Sequence, residues 1–326
     1  MRAFVTGAAG FVGANLVRTL LDAGWSVSGL VRGAAPSLDG LDVTLVRGDM
    51  RDDAARLAAA MRGSDAVFHV AAAYSLWRSD AALVLASNVE GTRNVLAAAR
   101  RAEVPRVVYT SSVAAIGVKH GAIADETHQS PLNDLIGAYK QSKALAEREA
   151  LSAAAAGQDV VIVNPTTPIG PWDAKPTPTG EIIVRVLTGR MPAYVDTGLN
   201  LIDVRDVAAG HLAAFHRGRS GERYILGNEN LGLRALLERL APLTGRKAPR
   251  TRIPRIIPMV YASVGEYLLR PLGLPADVPL DGVRMAKESM FYSSAKAVRE
   301  LGLEQHPVDT ALADAVAWFR THGYDH

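Results

Sequence analysis

"RAFVTGAAGFVGANLVRTLLDAG", residues 2–24, decides the fold. Five strand-forming residues lead into glycines at 7, 10 and 13, and an amphipathic run follows at once. Gly7 permits a tight turn, while Gly10 and Gly13 allow backbone to approach a pyrophosphate and the helix to pack on the sheet. Free N–H groups and the favourable dipole end of a helix starting here suit a phosphate. Gly7, Gly10, Phe11, Val12 and Gly13 are therefore the expected turn around a dinucleotide. Spacing alone is a weak signal. Its place between a first strand and a first helix makes it a strong one.

Outward from this turn, short β-rich runs recur at 26–31, 43–46, 65–70, 106–111 and 159–164. Most are continuously apolar, as in strands covered on both faces. Helical patterns at 12–24, 88–102 and 138–155 lie between several of them. The expected fold is α/β: a Rossmann-type doubly wound parallel sheet with a smaller, mostly helical substrate-binding lobe. Residues 1–166 plus about 198–227 form the expected dinucleotide-binding domain, and about 167–197 plus 228–326 the lobe. "NPTTPIGPWDAKPTPTG", 164–180, reads as a long functional loop.

An acid at the end of the second strand holds the adenosine ribose hydroxyls in NAD-binding folds. Here Val31 takes that place and Arg32 follows, so a 2′-phosphate can sit against the guanidinium and NADP is expected over NAD. After the third strand, Asp49 could accept from the adenine amino group and Met50 could pack on its ring.

Composition narrows the remaining classes. Hydrophobic residues make up 48% of 326 and the net charge is +3, the positive residues reading as scattered, with no basic block expected for nucleic acid or an anionic membrane. There is no cysteine, which removes disulfides and thiolate chemistry, and the eight histidines show no metal-ligand spacing. Without a leader pattern or an apolar run long enough to span a bilayer, a cytoplasmic protein is expected.

The motifs "TGAAGFVG", "GDMRD", "HVAAA", "NVEGT", "YTSSVAAIG", "YKQSK", "NPTTPIGP" and "FYSSAKAVRELGL" follow one another along the chain. In these the sequence resembles the extended short-chain dehydrogenase/reductase family. Through "KPTPTGEIIVRVLTGRMPAYVDTGLNLIDVRDVAAGHL" it is most similar to hopanoid-associated sugar epimerases and dihydroflavonol reductase-like proteins. The resemblance implies a catalytic triad of Ser112, Tyr139 and Lys143. Tyrosine ordinarily titrates near 10, and an ammonium one helical turn away is expected to lower that value. The phenol then exchanges a proton with a carbonyl or hydroxyl while hydride moves at the nicotinamide. Lys143 would also hold the nicotinamide ribose. Ala71, Ala72, Ala73, Asn88, Thr110, Pro165 and Thr166 are the further expected cofactor neighbours. Ser111 faces the other side of its strand, and His69 reads as a satisfied core histidine.

Departures from the family pattern narrow the reaction. Dehydratases carry an acidic pair after the catalytic serine or threonine, where this chain has Val113 and Ala114. Epimerases usually show tyrosine–glycine after the serine strand, where this chain has Ile116–Gly117. The first reading is an NAD(P)-dependent oxidoreductase interconverting a ketone and a secondary alcohol. A sugar or nucleotide-sugar epimerase is the alternative, and a non-catalytic NADP sensor the third. Expected contacts to a small-molecule substrate are Tyr74, Trp77, Lys119, His120, Asp173, Lys175 and Asn200. The alanine-rich helices at 88–102 and 138–155 are expected to pair two copies as a homodimer.

Overall fold

The computed structural model describes residues 1–325. Its apolar runs become strands β1 (Arg2–Thr6), β2 (Ser26–Val31), β3 (Val43–Arg47), β4 (Ala66–His69), β5 (Arg106–Thr110) and β6 (Val160–Pro165). Further along the chain come β7 (Thr167–Ile169), β8 (Ala193–Tyr194), β9 (Gly198–Asp203), β10 (Arg223–Leu226), β11 (Glu229–Gly232) and β12 (Thr251–Arg252). Seven strands form one sheet in the order β10-β6-β5-β4-β1-β2-β3. Every pairing in it is parallel. Strand order reverses between β1 and β4, so the crevice beyond their carboxyl ends is where a doubly wound sheet binds its ligand.

The helices are α1 (Phe11–Asp22), α2 (Ala54–Met61), α3 (Ala81–Leu85), α4 (Gly91–Arg101), α5 (Val113–Ile116) and α6 (Gly137–Ala155). After them come α7 (Pro178–Leu187), α8 (Val204–Arg217), α9 (Leu233–Thr244), α10 (Ile256–Val264), α11 (Leu280–Met285), α12 (Ala295–Leu301) and α13 (Val308–Thr321). Alternation along the strands divides the core in two. Ala3 and Val5 pack with Leu16 and Leu20 of α1, while Phe4 packs with Leu57 and Met61 of α2. Each of the larger side chains, once fully buried, contributes about 1.5–3 kcal/mol.

A second core forms the lobe. Ile169, Leu201 and Leu231 of the three-stranded β11-β9-β7 sheet meet Ile183, Leu237 and Phe319 from α7, α9 and α13. Strand β9, grouped by sequence with the large domain, pairs in this small sheet, and α8 and β10 then return to the large one.

Four local features differ from the sequence reading. Strand β3 is an edge strand with Leu45 half exposed, since no neighbour covers it. The long loop at 164–180 is shortened by β7 and by the start of α7, whose Thr177 caps the helix by accepting from Gly180 N–H. A single π-turn at Ala86–Glu90 precedes α4. The short helix α5 starts directly at Ser112.

Candidate active site

The glycine turn is built for close approach. Gly7 has φ +69°, and a Cβ there would stand 2.8 Å from the Ala71 backbone. A Cβ on Gly13 would lie 2.0 Å from the Gly7 carbonyl oxygen, so no other residue fits. Gly10 is the N-cap of α1, with no capping side chain and no acid in the first turn. The first-turn N–H groups, those of Phe11 and Val12 included, thus have no intrahelical acceptor and meet a ligand with the positive end of the dipole. These residues fit a pyrophosphate. Past β2, Arg32 is exposed. Beyond β3, Asp49 accepts from Arg51 Nε at 3.0 Å and Nη2 at 3.2 Å, a partner the sequence did not reveal. That hydrogen bond holds the Asp49 carboxyl below its usual range, helped by the charge of Arg32. Two guanidiniums therefore stand at the carboxyl edge of β2 and β3. Met50 packs against Gly91 of α4.

Strand β5 delivers the hydroxyls. Ser112, extended at φ −166°, caps α5 by accepting the Ala114 N–H at 3.1 Å. Ser111 is buried, and its Oγ has no hydrogen-bond partner. Tyr139 sits in the first turn of α6. Burial pushes its phenol up to about 12, and the nearby Ser112 hydroxyl pulls the other way. The Tyr74 ring lies edge-on to the Tyr139 ring, centroids 4.5 Å apart.

Lys143, 3% exposed, donates from Nζ to the Thr110 carbonyl at 2.8 Å. Burial lowers it to about 8, while Glu147 one turn further along raises it. The expectation that this ammonium brings the phenol below its ordinary value is corrected here. Burial raises it instead, the Lys143 ammonium being spent on the Thr110 carbonyl, and Tyr139 is a protonated donor at neutral pH.

Behind the hydroxyls lies a buried polar frame that sequence reasoning missed. Asn164 Nδ2, at the end of apolar β6, donates to the Ser112 carbonyl at 3.1 Å and to Glu147 Oε2 at 2.6 Å. Glu147 Oε1 in turn accepts from Arg223 of β10 at 3.1 Å. The one available signal was the i,i+4 spacing of Lys143 and Glu147. Asn88, in the π-turn, exchanges two hydrogen bonds with the Ala73 backbone at 2.7 and 2.9 Å and donates to Ser142 Oγ at 2.8 Å. It fastens the segment after β4 to α6. His69 lies between Thr6 and Thr92 at 2.7 and 3.1 Å, and burial lowers it to about 3. It is a satisfied, neutral core histidine.

Other expected residues fall as follows. Ala71, Ala72 and Ala73 follow β4, and Thr110, Pro165 and Thr166 lie at the carboxyl ends of β5 and β6, along one edge of the sheet. Trp77 lines a cavity of about 360 Å³ with Ala138, Gln141, Asp281 and Arg284, next to the start of α6.

Two expected substrate contacts are corrected. Asp173 is buried, with its carboxylate occupied by the backbone N–H and hydroxyl of Thr177, which anchors the start of α7. Asn200 is 1% exposed and spends its amide on Asn228, Asn230 and Tyr292. Both are structural because burial made them find protein partners. Lys119, His120 and Lys175 are exposed, and His120 pairs with Glu288.

With this geometry in view, comparison with known proteins is direct. Residues 3–227 match the model of the NAD dependent epimerase/dehydratase family. The chain belongs to that family. It is an NAD(P)-dependent enzyme of the extended short-chain dehydrogenase/reductase type, and it uses a nicotinamide cofactor. It is 57% identical, over 98% of its own length and 95% of the other, to a Synechocystis protein named "Putative dihydroflavonol 4-reductase". A solved nucleoside-diphosphate-sugar epimerase from Pseudomonas aeruginosa superposes with TM-score 0.84 at 29% identity, covering 100% of this chain and 99% of that one. A dTDP-glucose 4,6-dehydratase from Streptomyces venezuelae, solved with NAD bound, gives TM-score 0.81 at 26% identity, covering 98% and 97%. Among the described residues of this family member no helix is long and apolar enough to cross a membrane, and no cluster of potential metal ligands occurs.

Proposed function

We propose that this enzyme interconverts a ketone and a secondary alcohol, with NADP as cofactor. The observation that carries the reading is the pair of neighbouring hydroxyls on Ser112, at the start of α5, and Tyr139, in the first turn of α6, with buried, apolar Val113 and Ala114 directly after the serine. Ser112 Oγ already accepts from Ala114, so its own hydrogen is free for a carbonyl oxygen. A protonated Tyr139 gives that oxygen its proton, and Lys143 supports the phenolate left behind. When bound, the nicotinamide supplies or accepts the hydride. Elimination from a sugar needs a further acid and base, which Val113 and Ala114 cannot supply. The reductase name of the 57% identical relative supports the same direction. Tyr74 and Trp77 offer an aromatic wall suited to a ring-bearing substrate. Arg32 supports the NADP preference through a 2′-phosphate. The half-buried Ala97 of α4 and Ala153 of α6 lie on the proposed contact between two copies.

The test is incubation with NADPH and a panel of aromatic ketones, terpenoid ketones and sugar nucleotides. NADPH oxidation with one ketone class is expected. Isomer exchange of a sugar nucleotide with no net oxidation, and a cofactor that survives dialysis, would instead establish epimerisation. The 29% identical epimerase structure keeps that second reading in view.

A further inference from the structure

Helix α10 runs on without a break through a π-turn at Gly265–Leu269 and a 3-10 turn at Arg270–Leu272. Its polarity is inverted. The outward stripe holds Ile257, Val260, Tyr261, Val264, Tyr267 and Leu268, each between 43% and 57% exposed. The acid of the same helix, Glu266, is 8% exposed and faces inward, accepting the Arg78 N–H at 3.0 Å. A surface helix of a water-soluble domain does the reverse. The stripe follows helical spacing over about three turns, and a contiguous apolar surface of this kind marks an interaction site.

Charge defines the partner. The positive residues are not evenly scattered, which corrects the sequence reading: between Arg246 and Pro275 the chain carries six basic residues and one acid, the inward-facing Glu266. Arg246, Lys247, Arg250, Arg252 and Arg255 are all exposed and lie immediately before or at the start of the helix. The acid nearest them is Asp196, which pairs with Arg252 at 3.2 Å. An apolar face flanked by exposed cations matches an anionic bilayer surface, where side chains enter the acyl boundary and arginines stay among headgroups. The segment is not both long and apolar enough to span. The helix also touches the site: Arg270 lies over the Trp77 ring at 4.1 Å, and Tyr267 accepts from Arg78 at 2.5 Å. We propose that residues 256–272 are a docking element that lays the enzyme on an anionic membrane, with the Tyr74–Arg78 side of the site against the lipid. This stands apart from the reaction read above, since it rests on a different face and a different observation.

Flotation with vesicles tests it. The full-length protein is expected to rise with vesicles of phosphatidylcholine containing about one third phosphatidylglycerol, and to be released as salt screens the headgroups. The double substitution Val260→Glu/Tyr261→Glu and, separately, Arg250→Glu/Arg252→Glu should each lower the bound fraction about tenfold or more at unchanged NADPH affinity. Both arginines are exposed at the surface, so that arm holds even where the first variant fails to fold. Wild-type protein that stays unbound with both pure and mixed vesicles overturns the proposal. So does light scattering in which Val260→Glu/Tyr261→Glu turns a dimer into a monomer, because a second copy would then cover the stripe.

Discussion

The ring of Tyr74 meets the ring of Tyr139 edge-on, with centroids 4.5 Å apart and planes inclined at 66°. Tyr74 follows the segment that Asn88 fastens to α6, so the aromatic contact and the polar frame hold one phenol from two sides. Removing the hydroxyl alone should therefore spare the geometry. Tyr139→Phe is expected to lower turnover about 100- to 10,000-fold. NADPH affinity, read by fluorescence titration, should stay within about threefold, since the lost group donates to substrate. Retention of most of the activity would remove Tyr139 from the proton-transfer role.

The cofactor preference rests on one exposed guanidinium. Arg32→Ala should weaken NADPH binding about tenfold or more and leave NADH binding nearly unchanged, as expected when one charged contact to a phosphate is removed. Calorimetric titration with both cofactors checks this. Equal losses for the two would place Arg32 outside the 2′-phosphate site.

Lys143 sets a pH limit on reduction. Burial lowers its ammonium to about 8, so it is charged below that pH and neutral above it. The rate of ketone reduction at saturating NADPH should be level from pH 6 to about 7 and fall as pH rises through about 8. Lys143→Met should remove this limb together with most of the rate. A wild-type profile that is flat to pH 10 contradicts the role.

Acid stability should reflect the two buried histidines. Burial lowers His69 to about 3 and His211 to about 4, whereas both titrate near 6.5 in the unfolded chain. Below pH 6.5 the unfolded state binds protons that the native state refuses, so stability falls as pH drops. Between pH 7 and 5 each histidine should cost roughly 2 kcal/mol. Asp173 works in the opposite sense: burial raises it to about 6, so the native state takes up its proton first and recovers part of the loss. Urea unfolding at both pH values measures the balance. A midpoint that does not fall between pH 7 and 5 would count against neutral, buried histidines.

Local pattern determined a great deal by itself. The glycine turn and the parallel strands follow from burial periodicity and turn stereochemistry, which act within a few residues, whereas Ser112, Tyr139 and Lys143 are singled out by the resemblance of their motifs to a family. Tertiary structure decided which polar groups remained free. Asp173 and Asn200 look alike in sequence to any binding residue, yet burial consumed both in hydrogen bonds. Glu147 found Arg223 76 residues away, and Lys143 spent its proton on Thr110. The outward apolar stripe of α10 was equally hidden, because a run of isoleucine, valine and tyrosine reads as core until the neighbours that fail to cover it are known. Periodicity reports that a face is apolar; only the packed chain shows what, if anything, lies against it.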